Sequence, residues 1–465
     1  MTNLLNDTFC LAPWVHTYCG TQHERTTCCA SVEDVGSKLS FEEYWNGDKM
    51  RDIRKKMLNG ETIPSCRNCY NIPSALSYKY HFNGNYSNKL DEILKNTDEN
   101  GNYSGLPIAI DYRNSLCNLR CRMCGSSAST SIRADFVNVE KYSYYINEEE
   151  LLSSKDIKQL EIDQLNEMLF LIENSEVDEI YWAGGEPLFN LNHYKILEKL
   201  IELGKTDVML RYNTNLTNLK FRNYDFIEMI SNFSNVHVYF SQDGIGEVAE
   251  YIRYGVKFNE WNDNLNKIIS IKKGEFTFST IHKDGWRMHF HSVVTILTLL
   301  DIENILEFVE TKGVLLINFF KCFVDEYKNL LGLEFYPEEI IHRILDDKIE
   351  LLNSKFTQTT NRDITISFLQ KLKAEFKQIP FQKLEWEDRA RELYRTFIYM
   401  NDLDIIRPYN KTFYELIGER DVELYNFLKD TNNRLYETID SILVGEGLSK
   451  RLFEIKDLHA MRTPA

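Results

Sequence analysis

The stretch that decides the fold is Cys117-Asn118-Leu119-Arg120-Cys121-Arg122-Met123-Cys124. It places three thiols, those of Cys117, Cys121 and Cys124, in one short loop. Three thiolates would hold a cubane iron-sulfur cluster and leave its fourth iron open to a ligand that is not protein. A structural zinc or electron-transfer site normally takes four protein ligands, and no fourth cysteine lies close by in the sequence. The loop therefore predicts a cluster that takes part in chemistry.

The neighbouring segments place this loop in a β/α unit. Residues 106–111 form a short apolar run that suits a buried parallel strand, and the small and polar residues 125–130 can begin a helix. A reactive loop at the carboxyl end of a strand is the arrangement of a (β/α) barrel site. Residues 177–182 predict a second strand, followed by the turn Ala183-Gly184-Gly185-Glu186-Pro187. The two glycines allow the backbone to approach a ligand closely, and Glu186 adds a carboxylate.

The C-x3-C-x2-C spacing, followed about 60 residues later by Gly-Gly-Glu-Pro, resembles the signature of the radical S-adenosylmethionine (SAM) enzymes. The resemblance implies that Cys117, Cys121 and Cys124 hold a [4Fe-4S] cluster whose open iron chelates SAM. It also implies that Gly184, Gly185 and Glu186 contact the methionine ammonium group of SAM.

Further residues resemble the SAM contacts of this family. Asn213-Thr214-Asn215 is similar to its Thr-Asn-Gly turn and implies a role for Asn215, although Leu216 replaces the expected small residue. Ser241 and Arg253 correspond to the serine and arginine that hold the SAM carboxylate, which a guanidinium can bind with two parallel hydrogen bonds. The alternative for Arg253 is a surface salt bridge.

Four more apolar segments predict strands: residues 208–212, 236–240, 289–296 and 314–320. Six strand-helix units then fit between residues 105 and 325. The predicted fold class is α/β, with an open, partial (β/α)6 barrel of the TIM type, as the resemblance implies. Residues 138–175 are predicted to form an acidic, partly helical insertion in the second of these strand-helix units.

Residues 1–100 are predicted to form a separate cysteine-rich module. Four thiolates, from Cys10, Cys28, Cys66 and Cys69, are enough to bind zinc or close a second iron-sulfur cluster, and the residues alone leave both open. Cys29 is the alternative to Cys28. The pattern resembles the twitch and SPASM auxiliary-cluster modules of phage and bacterial radical SAM proteins, which implies an auxiliary [4Fe-4S] cluster. His23 stands where those modules have a glycine.

The carboxy-terminal part of the chain offers one further candidate. Cys322 follows the sixth predicted strand, where its thiol could give a hydrogen atom to a substrate radical, and the alternative is a packed cysteine. Residues 330–465 predict a helical domain, with amphipathic segments that begin near Pro337, Glu385 and Val422.

Composition limits the classes of partner and compartment. A net charge of −16 and a pI of 5.2 argue against broad nucleic-acid binding. The cysteines occur in metal-ligand spacings, which indicates a reducing compartment. The first residues lack a secretory signal and no apolar run suits a membrane span, so we expect a cytoplasmic protein.

The resemblance implies an enzyme that cleaves SAM reductively to a 5′-deoxyadenosyl radical, which abstracts a hydrogen atom from its substrate. It also implies a one-electron donor such as flavodoxin or ferredoxin. We expect a peptide or protein substrate. The alternative substrate is a small metabolite or nucleotide. The least favoured alternative is that the protein binds metal and is not an enzyme.

Overall fold

The structure is a computed structural model. It describes residues 8–31, 33–71, 79–81, 84–137, 152–271, 285–313, 315–322, 330–377 and 385–443. Most of the first half of the predicted 138–175 insertion, residues 138–151, lies outside these ranges.

A seven-stranded sheet forms the centre of the fold, with strand order β1-β2-β3-β4-β7-β8-β9. A separate hairpin consists of β5 and β6. The bounds are β1 His16–Cys19, β2 Ala109–Arg113, β3 Glu179–Ala183, β4 Met209–Thr214, β5 Lys220–Phe221, β6 Tyr224–Asp225, β7 Val236–Ser241, β8 Trp286–Val294 and β9 Leu315–Lys321.

Helices follow most strands, as in a βα repeat. The described α-helices are α1 Ala12–Val15, α2 Phe41–Trp45, α3 Asp48–Leu58, α4 Arg67–Asn71, α5 Leu90–Lys95, α6 Thr130–Val137, α7 Ser154–Asn174, α8 Leu191–Glu202, α9 Phe226–Ile230, α10 Glu247–Ile252, α11 Phe258–Ile271, α12 Ile296–Leu300, α13 Ile302–Lys312, α14 Glu338–Lys355, α15 Thr360–Glu375, α16 Trp386–Ile406, α17 Phe413–Gly418 and α18 Val422–Leu443. No helix in the described part of the chain is long and apolar enough to cross a membrane.

The two faces of the sheet differ in chemistry because side chains alternate along each strand. Tyr112, Trp182 and Tyr212 occupy matching register positions on one face and are almost fully buried. The positions one residue earlier, Asp111, Tyr181 and Arg211, carry polar groups on the other face. The sheet therefore packs through one face and presents a polar surface on the other.

The chain divides into two compact units. The first comprises residues 1–118, 125–240 and 263–288, and the second comprises residues 119–124, 241–262 and 289–465. Strand β8 contributes residues to both.

The predicted α/β fold is confirmed, and each of the six predicted strands is present within a few residues of its expected place, as β2, β3, β4, β7, β8 and β9. The helices expected near Pro337, Glu385 and Val422 are α14, α16 and α18. The domain boundaries drawn from the sequence stay predictions.

The seventh strand was not expected. Strand β1, from the cysteine-rich amino-terminal segment, pairs in parallel with β2, with Tyr18 opposite Asp111. Arg25 from the same segment binds both carboxylate oxygens of Glu167 on α7 at 2.7 Å. The amino-terminal segment therefore takes part in the central sheet and is tied to a helix of the first unit.

Candidate active site

In the first unit, the loop that carries Cys117 is bonded on both sides of the cysteine. Leu116 O accepts a hydrogen bond from Glu186 N at 2.7 Å, and Asn118 Oδ1 accepts one from Asn215 Nδ2 at 2.9 Å. The carbonyl of Cys117 itself accepts from Ser131 Oγ at 2.6 Å. The structure thus brings Cys117 together with two of the residues that the sequence predicts to bind SAM.

The Gly184-Gly185 turn needs glycine at both positions. Both residues have positive φ, +75° and +53°, where a side chain strains the backbone. A Cβ atom on Gly185 would lie 2.2 Å from Leu116 O, and one on Gly184 would lie 2.9 Å from Arg113 Cβ. The turn is therefore pressed against the segment that leads to Cys117.

Glu186 is buried, and its carboxylate is held by three donors. Its Oε1 accepts from Leu188 N at 3.0 Å and from Thr214 Oγ1 at 2.7 Å, and its Oε2 accepts from Asn215 N at 2.6 Å. Neutral donors of this kind stabilise an ionised carboxylate, which suits a site for an ammonium group. Sequence reasoning assigned no role to Thr214, although this residue lies within the motif Asn213-Thr214-Asn215.

Two residues that depart from the family pattern keep the backbone conformation that glycine favours. Leu216 has φ +53° and His23 has φ +64°, both in the left-handed region that favours glycine. Each costs roughly 1 kcal/mol or more relative to glycine. The two turns therefore retain a glycine-like conformation although the side chains differ.

In the second unit, Cys121 lies beside a buried ion pair. Arg253 Nη1 is 4.0 Å from Cys121 Sγ, and Arg253 Nε is 2.7 Å from Asp243 Oδ2. Val293 N donates to the other oxygen of Asp243 at 2.7 Å. Burial raises the pKa of both Cys121 and Asp243, and Arg253 opposes both shifts. The guanidinium therefore favours the thiolate, the form of cysteine that binds iron.

Arg253 is 8% exposed and is thus not a surface residue. Ser241 ends β7 two residues before Asp243 and is half-buried. Sequence reasoning missed Asp243 as the partner of Arg253, although it lies in the same strand-end run, Ser241-Gln242-Asp243-Gly244. Cys124 N donates to Cys121 O at 3.1 Å, which closes the turn between these two cysteines.

Cys322 follows β9 in the second unit and is 6% exposed. Burial raises its thiol pKa to about 12, and the Asp243 and Glu334 carboxylates add to the effect. The thiol is therefore protonated at neutral pH, as a hydrogen-atom donor must be.

The four predicted auxiliary cysteines share one pocket in the first unit. Cys10, Cys28, Cys66 and Cys69 line it together with apolar and aromatic side chains. Burial raises the pKa of Cys10 well above its usual value, and the neighbouring Cys28, Cys66 and Cys69 raise it further. Several thiols with raised pKa values in one pocket suit a metal, which would bind them as thiolates.

Cys29 is placed differently from Cys28. Its side chain is exposed, and its sulfur lies near Asp111 and beside the Arg113 guanidinium. Adjacent cysteines thus point to different surroundings, and Cys28 is the one among the pocket residues.

A polar wall, defined here as Tyr18, Arg113, Tyr181 and Asn213, lies on the polar face of the sheet in the first unit. Arg113 forms two 2.9 Å hydrogen bonds with the Asp111 carboxylate, and its guanidinium lies 5.2 Å from the Tyr18 ring centre and 5.7 Å from that of Tyr181. Asn213 Nδ2 donates to Tyr181 Oη at 2.7 Å, while its buried Oδ1 has no hydrogen-bond partner within the described residues. The wall adjoins Gly184 through Arg113.

The residues fit an iron-sulfur cluster and SAM by donor chemistry. Cys117, Cys121 and Cys124 supply three thiolates from one loop, and the glycine turn and Glu186 offer a close backbone approach with a buried carboxylate. Among the residues that the structure describes, no group of three or more His, Cys, Asp or Glu side chains is drawn together as metal ligands.

Comparison with known families decides the classification of this site. Residues 114–312 match the family model described as the radical SAM superfamily. This part of the chain is therefore a radical SAM domain. The matched range begins three residues before Cys117 and includes Glu186, Asn215, Ser241 and Arg253. The predicted radical SAM domain is thereby confirmed for this range.

The relatives of this chain cover it only in part. It is 25% identical over 142 residues to the 7-carboxy-7-deazaguanine synthase of Thermoplasma acidophilum, an overlap of 30% of this chain and 54% of that protein. Among solved structures it is similar to SuiB of Streptococcus suis bound to S-adenosylmethionine, with TM-score 0.35, 13% identity and coverage of 62% and 57% of the two chains. It is also similar to anSMEcpe with bound AdoMet, with TM-score 0.33, 18% identity and coverage of 52% of this chain and 58% of that chain. The chain therefore spans about half the length of the relatives it matches.

Proposed function

We propose that this protein is a radical SAM enzyme that cleaves SAM reductively at a [4Fe-4S] cluster and modifies a peptide or protein. The observation that carries the proposal is the set of bonds that join the Cys117 loop to the Gly184-Gly185 turn, Glu186 and Asn215. When bound, the cluster and SAM would supply a 5′-deoxyadenosyl radical, and an external donor such as flavodoxin or ferredoxin would supply the electron.

The residues of this chain bind and orient the reactants. Cys117, Cys121 and Cys124 would hold the cluster. Glu186, fixed by Thr214 and the backbone of Leu188 and Asn215, would receive the SAM ammonium group. Asp243 holds Arg253 through Nε, so that its Nη groups can be presented to the SAM carboxylate, with Ser241 as the second donor.

The polar wall supports a peptide as substrate. Asp111 neutralises Arg113, so the wall suits a neutral polar group better than a free carboxylate. A peptide unit has a carbonyl for the Arg113 guanidinium and an N–H for the buried Asn213 Oδ1. The aromatic rings of Tyr18 and Tyr181 add apolar surface for the rest of the substrate.

A small heterocyclic metabolite is the second candidate. It is favoured by the similarity to a 7-carboxy-7-deazaguanine synthase, whose name denotes a small-molecule product. The rim of such a heterocycle also carries amide-like donors and acceptors that the polar wall could bind.

One experiment tests the activity and then separates the two substrate classes. The protein is reconstituted anaerobically with iron and sulfide, reduced with dithionite in the presence of SAM, and assayed for 5′-deoxyadenosine. Peptide and small-metabolite fractions from cells grown in heavy water are then added separately. Deuterium in 5′-deoxyadenosine only with the peptide fraction supports the proposal, and deuterium only with the metabolite fraction supports the second candidate. No 5′-deoxyadenosine from a well-reconstituted protein would contradict both.

We also propose that Cys10, Cys28, Cys66 and Cys69 hold an auxiliary [4Fe-4S] cluster. Wild-type protein should then contain about eight irons, and a Cys66→Ala/Cys69→Ala variant about four, with SAM cleavage retained. Cys29→Ala is the matched control and should keep about eight irons, because its thiol lies beside Arg113 instead. About four irons and one zinc in the wild type would contradict the second cluster.

Cys322 is proposed as the residue that returns a hydrogen atom to the substrate radical. Its S–H bond breaks as the C–H bond of the product forms, and the thiyl radical left on Cys322 takes one electron from the external donor and one proton from solvent to restore the thiol. In deuterated buffer, Cys322→Ala should cleave SAM at the wild-type rate but incorporate at least about tenfold less solvent deuterium into the product, because the protonated thiol is lost. Mass spectrometry of the product measures this. Unchanged deuterium incorporation with full turnover would assign Cys322 to packing.

A further inference from the structure

The middle cysteine of the cluster loop is bonded to the carboxy-terminal helical region, within the second unit. Arg407, the residue after α16, donates from Nη1 to Cys121 O at 3.3 Å. The carbonyl of Arg407 in turn accepts a short hydrogen bond from Arg122 Nη2. Two arginines, one on each segment, thus link the backbone of the cluster loop to the end of α16.

The link continues into a buried network around Arg122. The Arg122 side chain has no exposed surface, and its Nη1 is 3.0 Å from Asp404 Oδ1 on α16. Its guanidinium lies 4.0 Å from the centre of the Tyr251 ring, and its Nε donates to Tyr251 O at 2.9 Å. Tyr251 Oη donates to Asp404 Oδ1 at 2.7 Å. Arg122, Tyr251, Asp404 and Arg407 are therefore held as one unit.

Packing alone is a poor explanation for this network. Removing charged groups from water is costly, and replacing a buried ion pair by apolar side chains of similar size is often neutral or stabilising. Arg122 and Arg407 are both fully buried. Their charges are better explained by an effect on a charged neighbour, and the Arg407 guanidinium contacts the backbone of a predicted cluster ligand.

Two guanidinium groups lie close to Cys121. Arg407 Nη1 is 3.3 Å from Cys121 O, and Arg253 Nη1 is 4.0 Å from Cys121 Sγ. Arg407 therefore places a positive charge in a buried, low-dielectric region next to Cys121. Reduction adds one negative charge to a cluster, so nearby positive charge favours the reduced state.

We propose that Arg407, oriented by Arg122 and Asp404, is a positioning residue that fixes the Cys121 segment and makes the cluster easier to reduce. The inference rests on the cluster proposed above at Cys117, Cys121 and Cys124. It assigns the carboxy-terminal helical region a part in the redox chemistry, through the last turn of α16 and Arg407.

The test compares two substitutions in the full-length, reconstituted protein. Arg407→Gln keeps a hydrogen-bond donor and removes the charge, whereas Arg407→Lys keeps the charge. The midpoint potential of the SAM-binding cluster is measured by redox titration monitored by electron paramagnetic resonance, together with iron content. We expect Arg407→Gln to lower the ratio of reduced to oxidised cluster about tenfold at a fixed potential, a shift of about 59 mV to more negative values for a one-electron couple. Arg407→Lys should remain near wild type.

Asp404→Asn is the second variant, because it removes a negative charge from the same network and should shift the potential in the opposite direction. Arg343→Gln is the matched control for the loss of a paired arginine, since Arg343 binds Asp421 and Glu423 instead. Unchanged potentials in iron-loaded Arg407→Gln and Asp404→Asn would overturn the inference. If Arg407→Gln does not fold, the direction of the Asp404→Asn shift decides. A wild type that binds no iron or cleaves no SAM would instead refute the proposed function.

Discussion

Replacing Cys124 by alanine should abolish 5′-deoxyadenosine formation, with a loss of more than about 100-fold. Changes to residues that only support a metal ligand typically cost 10 to about 100-fold, so loss of a direct ligand should cost more. Two thiolates cannot hold the cluster in the way that three can. The measurement is 5′-deoxyadenosine per protein after anaerobic reconstitution, with iron counted in the same sample.

The control for this prediction is Cys29→Ala, which removes an exposed thiol that is not one of the three predicted cluster ligands. It should leave 5′-deoxyadenosine formation near the wild-type level. A Cys124→Ala protein that retains both its full iron content and SAM cleavage would show that the cluster lies elsewhere in the chain.

The second large effect is expected for Glu186→Gln. The carboxylate accepts three hydrogen bonds from Leu188 N, Thr214 Oγ1 and Asn215 N, and a glutamine amide would turn one acceptor into a donor that faces donors. It would also remove the negative charge proposed to bind the SAM ammonium group. A hydrogen bond to a charged group contributes about 1.5–3 kcal/mol, so we expect SAM to bind on the order of 10 to 100-fold more weakly.

Calorimetric titration of the reconstituted protein with SAM measures this loss. Glu228→Gln on α9 is the control, because its side chain is exposed in the same unit. Thermal melting of both variants separates a loss of binding from a loss of folding. Unchanged SAM affinity in a folded Glu186→Gln protein would remove Glu186 from the proposed site.

The strands of the central sheet were predictable because each is a short apolar run followed by a turn. The 177–182 run and its glycine turn are an example, and the strand observed there is Glu179–Ala183. Strand β1 was not predictable in this way. His16-Thr17-Tyr18-Cys19 has little apolar character, and only its pairing with β2, some 90 residues away in sequence, makes it a strand.

Some residues of the candidate site were likewise predictable from the sequence, and others were not. Motif spacing in the sequence pointed to Cys117, Glu186 and Asn215, and the structure joins their segments by hydrogen bonds. The roles of Asp404 and Arg407 could not be found from the sequence, because these residues lie more than 280 residues after Cys121, at the end of a helix whose pattern predicts ordinary core packing. Long-range polar contacts leave no local pattern.

The parallel pairing of β1 with β2 limits where this chain can be truncated or recombined with another protein. Removing the first hundred residues would leave the edge of β2 with unpaired peptide groups, which invites association with other chains. It would also leave Glu167 without the arginine that binds both its oxygens. The amino-terminal segment therefore cannot be exchanged independently of the sheet. A recombination that joins this segment to another protein must also supply an edge strand with which β1 can pair.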